Sequence, residues 1–272
     1  MKKRLLFTIT AILMVFAVML TGCATTSGTP QATAAPSTVP QEVLRVGVDN
    51  SYPPMEYVDE SGSTIGFDID MANAIAQKLN MKIELVPTAW DAIFTALNAK
   101  KFDCIISSLS ITDERKKTIL YTQPYIANAQ VIVVPANDTS ITKTSDLLDK
   151  RVGVQLGTTA EEAGTKFTKT TPFKSFDKFD QVIQPFSEMK TGRIDAIIVD
   201  EVVARYYVTK DSASFKLSGV RLDPEPIGIG FRQDETVLQS KIDATLTAMK
   251  ADGSLGEISK KWFGEDITKD VK

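Results

Sequence analysis

Ser107, Ser108, Ser110, Thr112 and Arg115 fall within the nine residues Ser107-Ser108-Leu109-Ser110-Ile111-Thr112-Asp113-Glu114-Arg115. Hydroxyls and unpaired backbone N–H groups beside a guanidinium describe an anion site, because the Arg fork matches a carboxylate bidentately. Thr112 suits a helix N-cap, with Asp113 and Glu114 in the first turn, where negative charge is favoured. The plain alternative is an ordinary strand-to-helix loop with a solvated Arg. The chain has no histidine and two cysteines, Cys23 and Cys104. Ser-His-Asp hydrolysis and His-ligated zinc are therefore excluded. Cys104, in the apolar run Cys104-Ile105-Ile106, reads as a small buried hydrophobe. No P-loop occurs, so the chain is not expected to hydrolyse ATP. No metal site and no cofactor are expected.

The elements that would position this loop alternate between strand and helix. Val43 to Val48 is a Val-rich alternating strand, stopped by the loop Asp49 to Pro54 with its two prolines. Apolar spacing at Ile69, Ala72, Ile75, Ala76 and Leu79 predicts a helix over Phe67 to Leu79. A strand at Ile83 to Val86, a helix at Trp90 to Ala99 and a strand at Phe102 to Ile106 follow. Gln123-Pro124-Tyr125 breaks the pattern. Strands are then expected at Gln130 to Val134, Arg151 to Gln155 and Arg193 to Val199. Helices are expected from Ala160 to Phe167, Gln184 to Lys190 and from Asp200-Glu201 to Tyr207. The closing strand Gly228 to Phe231 and two helices, Val237 to Lys250 and Ser254 to Phe263, need a sheet to lie on. They are expected to return to the first block, with the middle block as an insertion. The alternation predicts α/β architecture with mostly parallel sheets.

Ligands of open α/β sheets sit outside the carboxyl ends of strands. Those ends are Asp49 to Tyr52, Trp90, Ser107 to Arg115, Gly157 with Thr158 and Thr159, and Asp200. Arg115, with N–H donors near Ser110 and Thr159, would take a carboxylate. Asp200, with Ser108, would take an ammonium. Tyr52 and Trp90 would sandwich a side chain or cation, and Asp49 would face its far end. Each has a plain alternative: Asp49 as a turn cap, Tyr52 and Trp90 as core, Asp200 as a helix N-cap, Arg115 paired with a surface acid. Together they describe a zwitterionic amino acid.

At the amino terminus, Lys2, Lys3 and Arg4 precede a 16-residue, mostly apolar run, Leu5 to Leu20, and then Leu20-Thr21-Gly22-Cys23. This is a secretory layout, too short for the roughly 20 residues of a membrane span. It resembles the bacterial lipobox, in which the cysteine, here Cys23, is lipidated. Residues 1–22 are expected to be the leader. Residues 23–41, rich in Thr, Ala, Pro, Ser and Gly, are expected to be a flexible tether. The chain carries 31 Lys and Arg against 34 Asp and Glu. Three of those basic residues lie in the leader and no basic block follows it, which argues against nucleic acid as a partner.

Residues 43 to 266 resemble the bacterial polar-amino-acid solute-binding proteins of ABC importers. The resemblance is carried by Gly66-Phe67-Asp68-Ile69-Asp70, Ser107 to Arg115, Val199-Asp200-Glu201, Asp252-Gly253 and Lys261-Trp262-Phe263-Gly264. It implies a two-lobed periplasmic-binding-protein-like clam of type II, each lobe a mixed, mostly parallel sheet with flanking helices, joined by two crossover strands. Lobe 1 would span 42–127 and 226–266, lobe 2 131–220, and the crossovers 128–130 and 221–225. It further implies that Arg115, Ser110 and Thr159 bind the ligand carboxylate. Asp200 and Ser108 would bind the α-amino group, and Tyr52 and Trp90 would stack on the side chain. Asp49 would sit at its distal end, with Ser107, Gln155 and Thr158 nearby. The implied ligand is a free L-amino acid, favouring arginine, lysine or histidine, with glutamine or cystine as alternatives. The implied partner is a membrane permease, and the implied state a lipid-anchored, extracytoplasmic monomer that is not an enzyme. Some basic-amino-acid binders carry Gln after the Thr pair, where this chain has Ala160 followed by Glu161 and Glu162. Glu56 is a second candidate acid. A prephenate- or arogenate-dehydratase-like enzyme on the same fold is the competing class; a ligand-sensing domain lacks a membrane segment after Phe263.

Overall fold

A computed structural model of the protein describes residues 41–269 and 271. The expected leader, and Cys23 with the tether as far as residue 40, lie outside these residues. The chain begins with β1 (Val43–Val48), β2 (Ser51–Tyr52), β3 (Glu56–Val58), β4 (Thr64–Ile65), α1 (Phe67–Lys78) and β5 (Lys82–Pro87). A 3-10 turn, Trp90–Ala92, leads into α2 (Ile93–Asn98), then β6 (Cys104–Ile105), a 3-10 turn Arg115–Lys117 and β7 (Ile119–Tyr121). The middle block is β8 (Ala129–Pro135), β9 (Arg151–Gln155), α3 (Thr159–Phe167), β10 (Ser175–Phe179), α4 (Ile183–Lys190), β11 (Ala196–Asp200), α5 (Glu201–Lys210) and β12 (Phe215–Pro224). The chain closes with β13 (Gly230–Arg232), α6 (Thr236–Ala251) and α7 (Ser254–Phe263).

Two five-stranded sheets organise two lobes, ordered β5-β1-β6-β13-β7 and β10-β9-β11-β8-β12. In the first, β1 runs parallel to β5 and β6, and β13 is antiparallel to β6 and β7. In the second, β9 runs parallel to β10 and β11, while β8 is antiparallel to β11 and β12. Parallel strands covered on both faces need near-continuous apolar runs, and Ala196–Asp200 is buried at every position. Leu44, Val46 and Val48 point into a core shared with Met71 and Ile75 of α1. The opposite face packs Ile93 and Leu97 of α2 against Phe102 and Ile105. Gly47 faces that side, where a Cβ would lie 2.4 Å from the Phe102 ring, so no larger residue fits.

The chain crosses between the sheets twice, and the two passages lie side by side. Ile126 pairs antiparallel with Ile227, Ala129 pairs with Pro224, and the Glu225 N–H donates to Asn128 O at 2.8 Å. The stretches 128–130 and 221–225 fall largely within the paired ends of β8 and β12.

The helix expected after Thr112 does not form. Thr112 Oγ1 accepts the Arg115 N–H at 3.2 Å, as a cap would. The coil then makes one 3-10 turn and passes into β7 at Ile119. Asp113 and Glu114 pair with Lys116 and Lys117 on the surface.

Candidate ligand-binding site

The strand ends converge on one small pocket between the two sheets. Tyr52, Trp90, Ser107, Ser108, Ser110 and Arg115 line it from the first lobe, and Thr158, Thr159 and Asp200 from the second. Asp49 and Gln155 sit beside it, joined across the lobes by Gln155 Nε2 donating to Asp49 Oδ2 at 2.7 Å. Two further bonds cross the gap: Tyr52 OH to Asp200 Oδ2 at 2.6 Å, and Trp90 Nε1 to Gly157 O at 2.9 Å. The lobes are closed on the pocket, so a ligand enters only when they part. Wider grooves flank Tyr206, where Glu201 pairs with Arg205 and Lys190 with Asp211.

A pair of buried acids sets the first-lobe wall. Ser107 Oγ accepts the Asp49 N–H at 2.9 Å and donates to Glu56 Oε1 at 2.8 Å. Ser108 has φ of 46°, an uncommon conformation for a residue other than glycine. Its N–H donates to Asp68 Oδ2 at 2.7 Å, and Tyr125 OH donates to Asp68 Oδ1 at 2.8 Å. These bonds over-determine the strained residue, as strain at a site requires. Burial pushes the Asp68 carboxyl up to about 6. Burial and the adjoining Asp68 push Glu56 well above the usual carboxylate range, so Glu56 keeps the proton of the pair. Ser108 Oγ is buried and has no hydrogen-bond partner among the described residues.

Arg115 is 8% exposed, and its Nη1 donates to Ser110 O at 3.3 Å. Its guanidinium lies over Trp90 and Phe94, 5.7 and 5.3 Å from the ring centres. It makes no ion pair among the described residues. A guanidinium has five N–H donors, so most of its bonding capacity faces the pocket unspent.

On the second lobe, Thr158 caps α3 by accepting the Glu161 N–H at 3.3 Å, and its hydroxyl donates to Gln155 O at 2.7 Å. Gly157, at φ of 76°, makes the turn before it. Glu161 accepts the Gly157 N–H at 2.7 Å and pairs with Lys178 at 2.5 Å, so it does not line the pocket. Asp200 occupies the N-cap position of α5 but makes no side-chain capping bond. Its carboxylate turns into the pocket, where Asn128 Nδ2 and Gln130 Nε2 donate to Oδ1 at 2.6 and 2.5 Å. Burial pushes Asp200 up to about 6 against the pull of Tyr52, Asn128 and Gln130. Burial also raises Asp49, opposed by its bonds from Ser51 and Gln155. Asn128, Gln130, Asp68 and Tyr125 escaped the sequence reading. Gln130 left a signal, a polar residue heading the buried apolar strand Ala129–Pro135.

The model of the bacterial extracellular solute-binding proteins, family 3, matches residues 44–265. The chain belongs to this family. Among its relatives is the L-cystine-binding protein TcyJ of Escherichia coli (strain K12), 33% identical over 227 residues, covering 83% of this chain and 84% of that one. Another is the histidine-binding periplasmic protein of Salmonella typhimurium (strain LT2), 34% identical over 246 residues, covering 87% and 93%. Among solved structures, an ancestral arginine-binding protein bound to arginine is 41% identical, with a TM-score of 0.78, covering 82% of this chain and 99% of its own. In this solute-binding protein the Gly66–Asp70 motif has two tasks. Asp68 holds the pocket wall, and Asp70 accepts from Lys261 Nζ at 2.6 Å and Trp262 Nε1 at 2.7 Å, pinning α7 to α1.

Proposed function

We propose that this protein is the substrate-binding component of an amino-acid ABC importer, capturing a free L-amino acid with a cationic side chain, arginine, lysine or histidine, and presenting it to a membrane permease. The observation that carries this reading is the charge arrangement of one pocket. Arg115 is buried without a carboxylate partner among the described residues, and two buried acids, Asp200 and Asp49, stand apart from it. The ligand carboxylate meets Arg115 with Ser110 and Thr159. Its ammonium meets Asp200 beside the free Ser108 hydroxyl. Tyr52 and Trp90 bound the side chain, which ends near Asp49 and Gln155, with Ser107 and Thr158 behind. One cation against two acids leaves a net negative site, and a buried charge must be paired. A cationic amino acid supplies the missing charge.

Capture and release, without chemical conversion, is the activity in this reading. Residues from both lobes share one ligand, which therefore favours the closed form by its differential affinity. Lobe 1 (42–127 and 226–266) and lobe 2 (131–220) turn about 128–130 and 221–225. The chain is exported by its leader and held outside the membrane as a monomer by lipid on Cys23.

Glutamine is the second reading, favoured by the Gln155 carboxamide on Asp49, which shows that an amide satisfies this carboxylate. Calorimetric titration with arginine, lysine, histidine, glutamine and cystine separates them. The cationic amino acids are expected to bind tightest. Heat from glutamine alone, or cystine alone, overturns the cationic assignment, and a product formed from prephenate or arogenate overturns the transport reading.

A further inference from the structure

Asp200 is not supported by its own lobe alone. Tyr52 reaches it from the first lobe, while Asn128 and Gln130 reach it from the first interlobe passage. Gln130 Nε2 also lies 3.0 Å from Thr159 Oγ1 and 3.2 Å from Glu225 Oε2, on the second passage. An amide nitrogen has two N–H groups, so three acceptors compete for them. Asn128 Oδ1 and Gln130 Oε1 are both buried and without partners among the described residues. Leaving a buried carbonyl unsatisfied is costly, and what offsets it here is both amide groups serving one carboxylate. The passages are themselves joined where Glu225 N–H meets Asn128 O.

We propose that Asn128, Gln130 and Glu225 are positioning residues for amine capture, tying the Asp200 carboxylate to both interlobe passages through Oδ1 and leaving the second lone pair of Oδ2, beside the Tyr52 hydroxyl, to accept the ligand ammonium. The proposal rests on Asp200 as the ammonium site. The two amides favour the ionised carboxylate, and Glu225, by its like charge, opposes it. The remaining groups around Asp200 are the Tyr52 hydroxyl, which donates to it, and Tyr125, whose hydroxyl is committed to Asp68. Arg115 is the one cation among the pocket-lining residues, and Glu201 is turned to Arg205 and Arg221. Removing an amide donor and neutralising Glu225 should therefore act in opposite directions on the pH at which ligand is lost.

The test is calorimetric titration of the full chain with L-arginine, and with L-glutamine in parallel, from about pH 5 to about pH 8.5. Gln130→Met is expected to bind roughly tenfold more weakly than wild type at about pH 6, recovering towards wild type by about pH 8.5. Glu225→Gln is expected to bind several-fold more tightly than wild type at about pH 5.5. A uniform loss at every pH in Gln130→Met, or shifts of the same sign in both variants, overturns the proposal. Should circular dichroism show Gln130→Met unfolded, Glu225→Gln decides alone: an acid limb moved lower supports the proposal, and an unmoved one overturns it. Asp200→Asn separates the two levels. Wild-type binding in Asp200→Asn removes the ammonium site itself. Lost binding there, with unmoved limbs in the other two, overturns only the role of the passages.

Discussion

Tyr52, on β2 of the first lobe, donates its hydroxyl to Asp200, at the end of β11 in the second, at 2.6 Å. Both groups are buried, so one bond serves closure and the proposed amine site together. A hydrogen bond to a charged group contributes about 1.5–3 kcal/mol. Tyr52→Phe keeps the ring and loses only that donor. It should weaken binding of every L-amino acid ligand by roughly 10- to 100-fold, measured by calorimetry at neutral pH. Unchanged affinity would show that Asp200 does not depend on the bond.

A second interlobe contact lies outside the pocket. Tyr206 of α5 lies against Tyr57 of β3 at 6.2 Å between ring centres, and Tyr57 meets Trp262 edge-on at 6.2 Å. Lys210 caps the Tyr206 ring at 4.8 Å. Since Tyr206 touches no pocket group, Tyr206→Ala should raise the dissociation rate of all ligands equally, by about fivefold from an aromatic pair of about 1 kcal/mol. Stopped-flow release would check it; a change in the ligand preference order would contradict it.

Why some of this was legible in sequence and some not is a matter of what burial leaves in the residue types. The strands β1, β9 and β11 announce themselves as apolar runs, and the pocket residues stand at their ends. β12 did not announce itself: Phe215–Pro224 is an edge strand, largely half-buried or exposed, with register shifts on either side of Arg221. Its side chains alternate too weakly to mark it. Thr112 looked like a helix cap because capping chemistry is local, whereas the length of the helix is decided by where β7 must start. Glu161 follows the Thr pair in sequence, yet Lys178 and the Gly157 N–H hold its carboxylate away from the pocket. Asn128 and Gln130 matter through a carboxylate that lies 72 and 70 residues away, a relation that no spacing encodes.

The pH dependence follows from the buried acids. Asp68 and Asp200 both titrate near 6 when folded, against about 3.9 in an unfolded chain. The folded state binds these protons more tightly, so stability is fully present below the unfolded value and is lost as pH rises through about 6. Carboxylates held low, such as Asp195 and Glu201, lose their contribution only below about pH 4.5. The ligand-free protein should therefore melt a few degrees higher at about pH 5.5 than at about pH 7.5. Arginine affinity should fall on acidification from about pH 7.5 to about pH 5.5, because in the proposed site the ammonium pairs with ionised Asp200. Calorimetric scans with and without arginine read both; a melting temperature that falls with acidification across this window contradicts the assignment.

Asp49 should govern side-chain choice without governing capture. Asp49→Asn removes the distal charge but keeps the size, and its amide still bonds Gln155. Arginine and lysine should lose roughly 100-fold in affinity, the order of an unpaired buried charge, while glutamine changes little. Competition titration checks the ratio, and equal losses for arginine and glutamine would place the side chain elsewhere.

The most direct single measurement is a calorimetric titration of the wild-type protein with L-arginine, with agmatine, which is arginine without its carboxylate, and with L-glutamine. The pairing of Arg115 with the ligand carboxylate, Asp200 with its ammonium and Asp49 with its cationic end predicts tight binding of L-arginine, weaker binding of glutamine and no detectable heat with agmatine. Agmatine binding as tightly as arginine, or no heat from either amino acid, contradicts it.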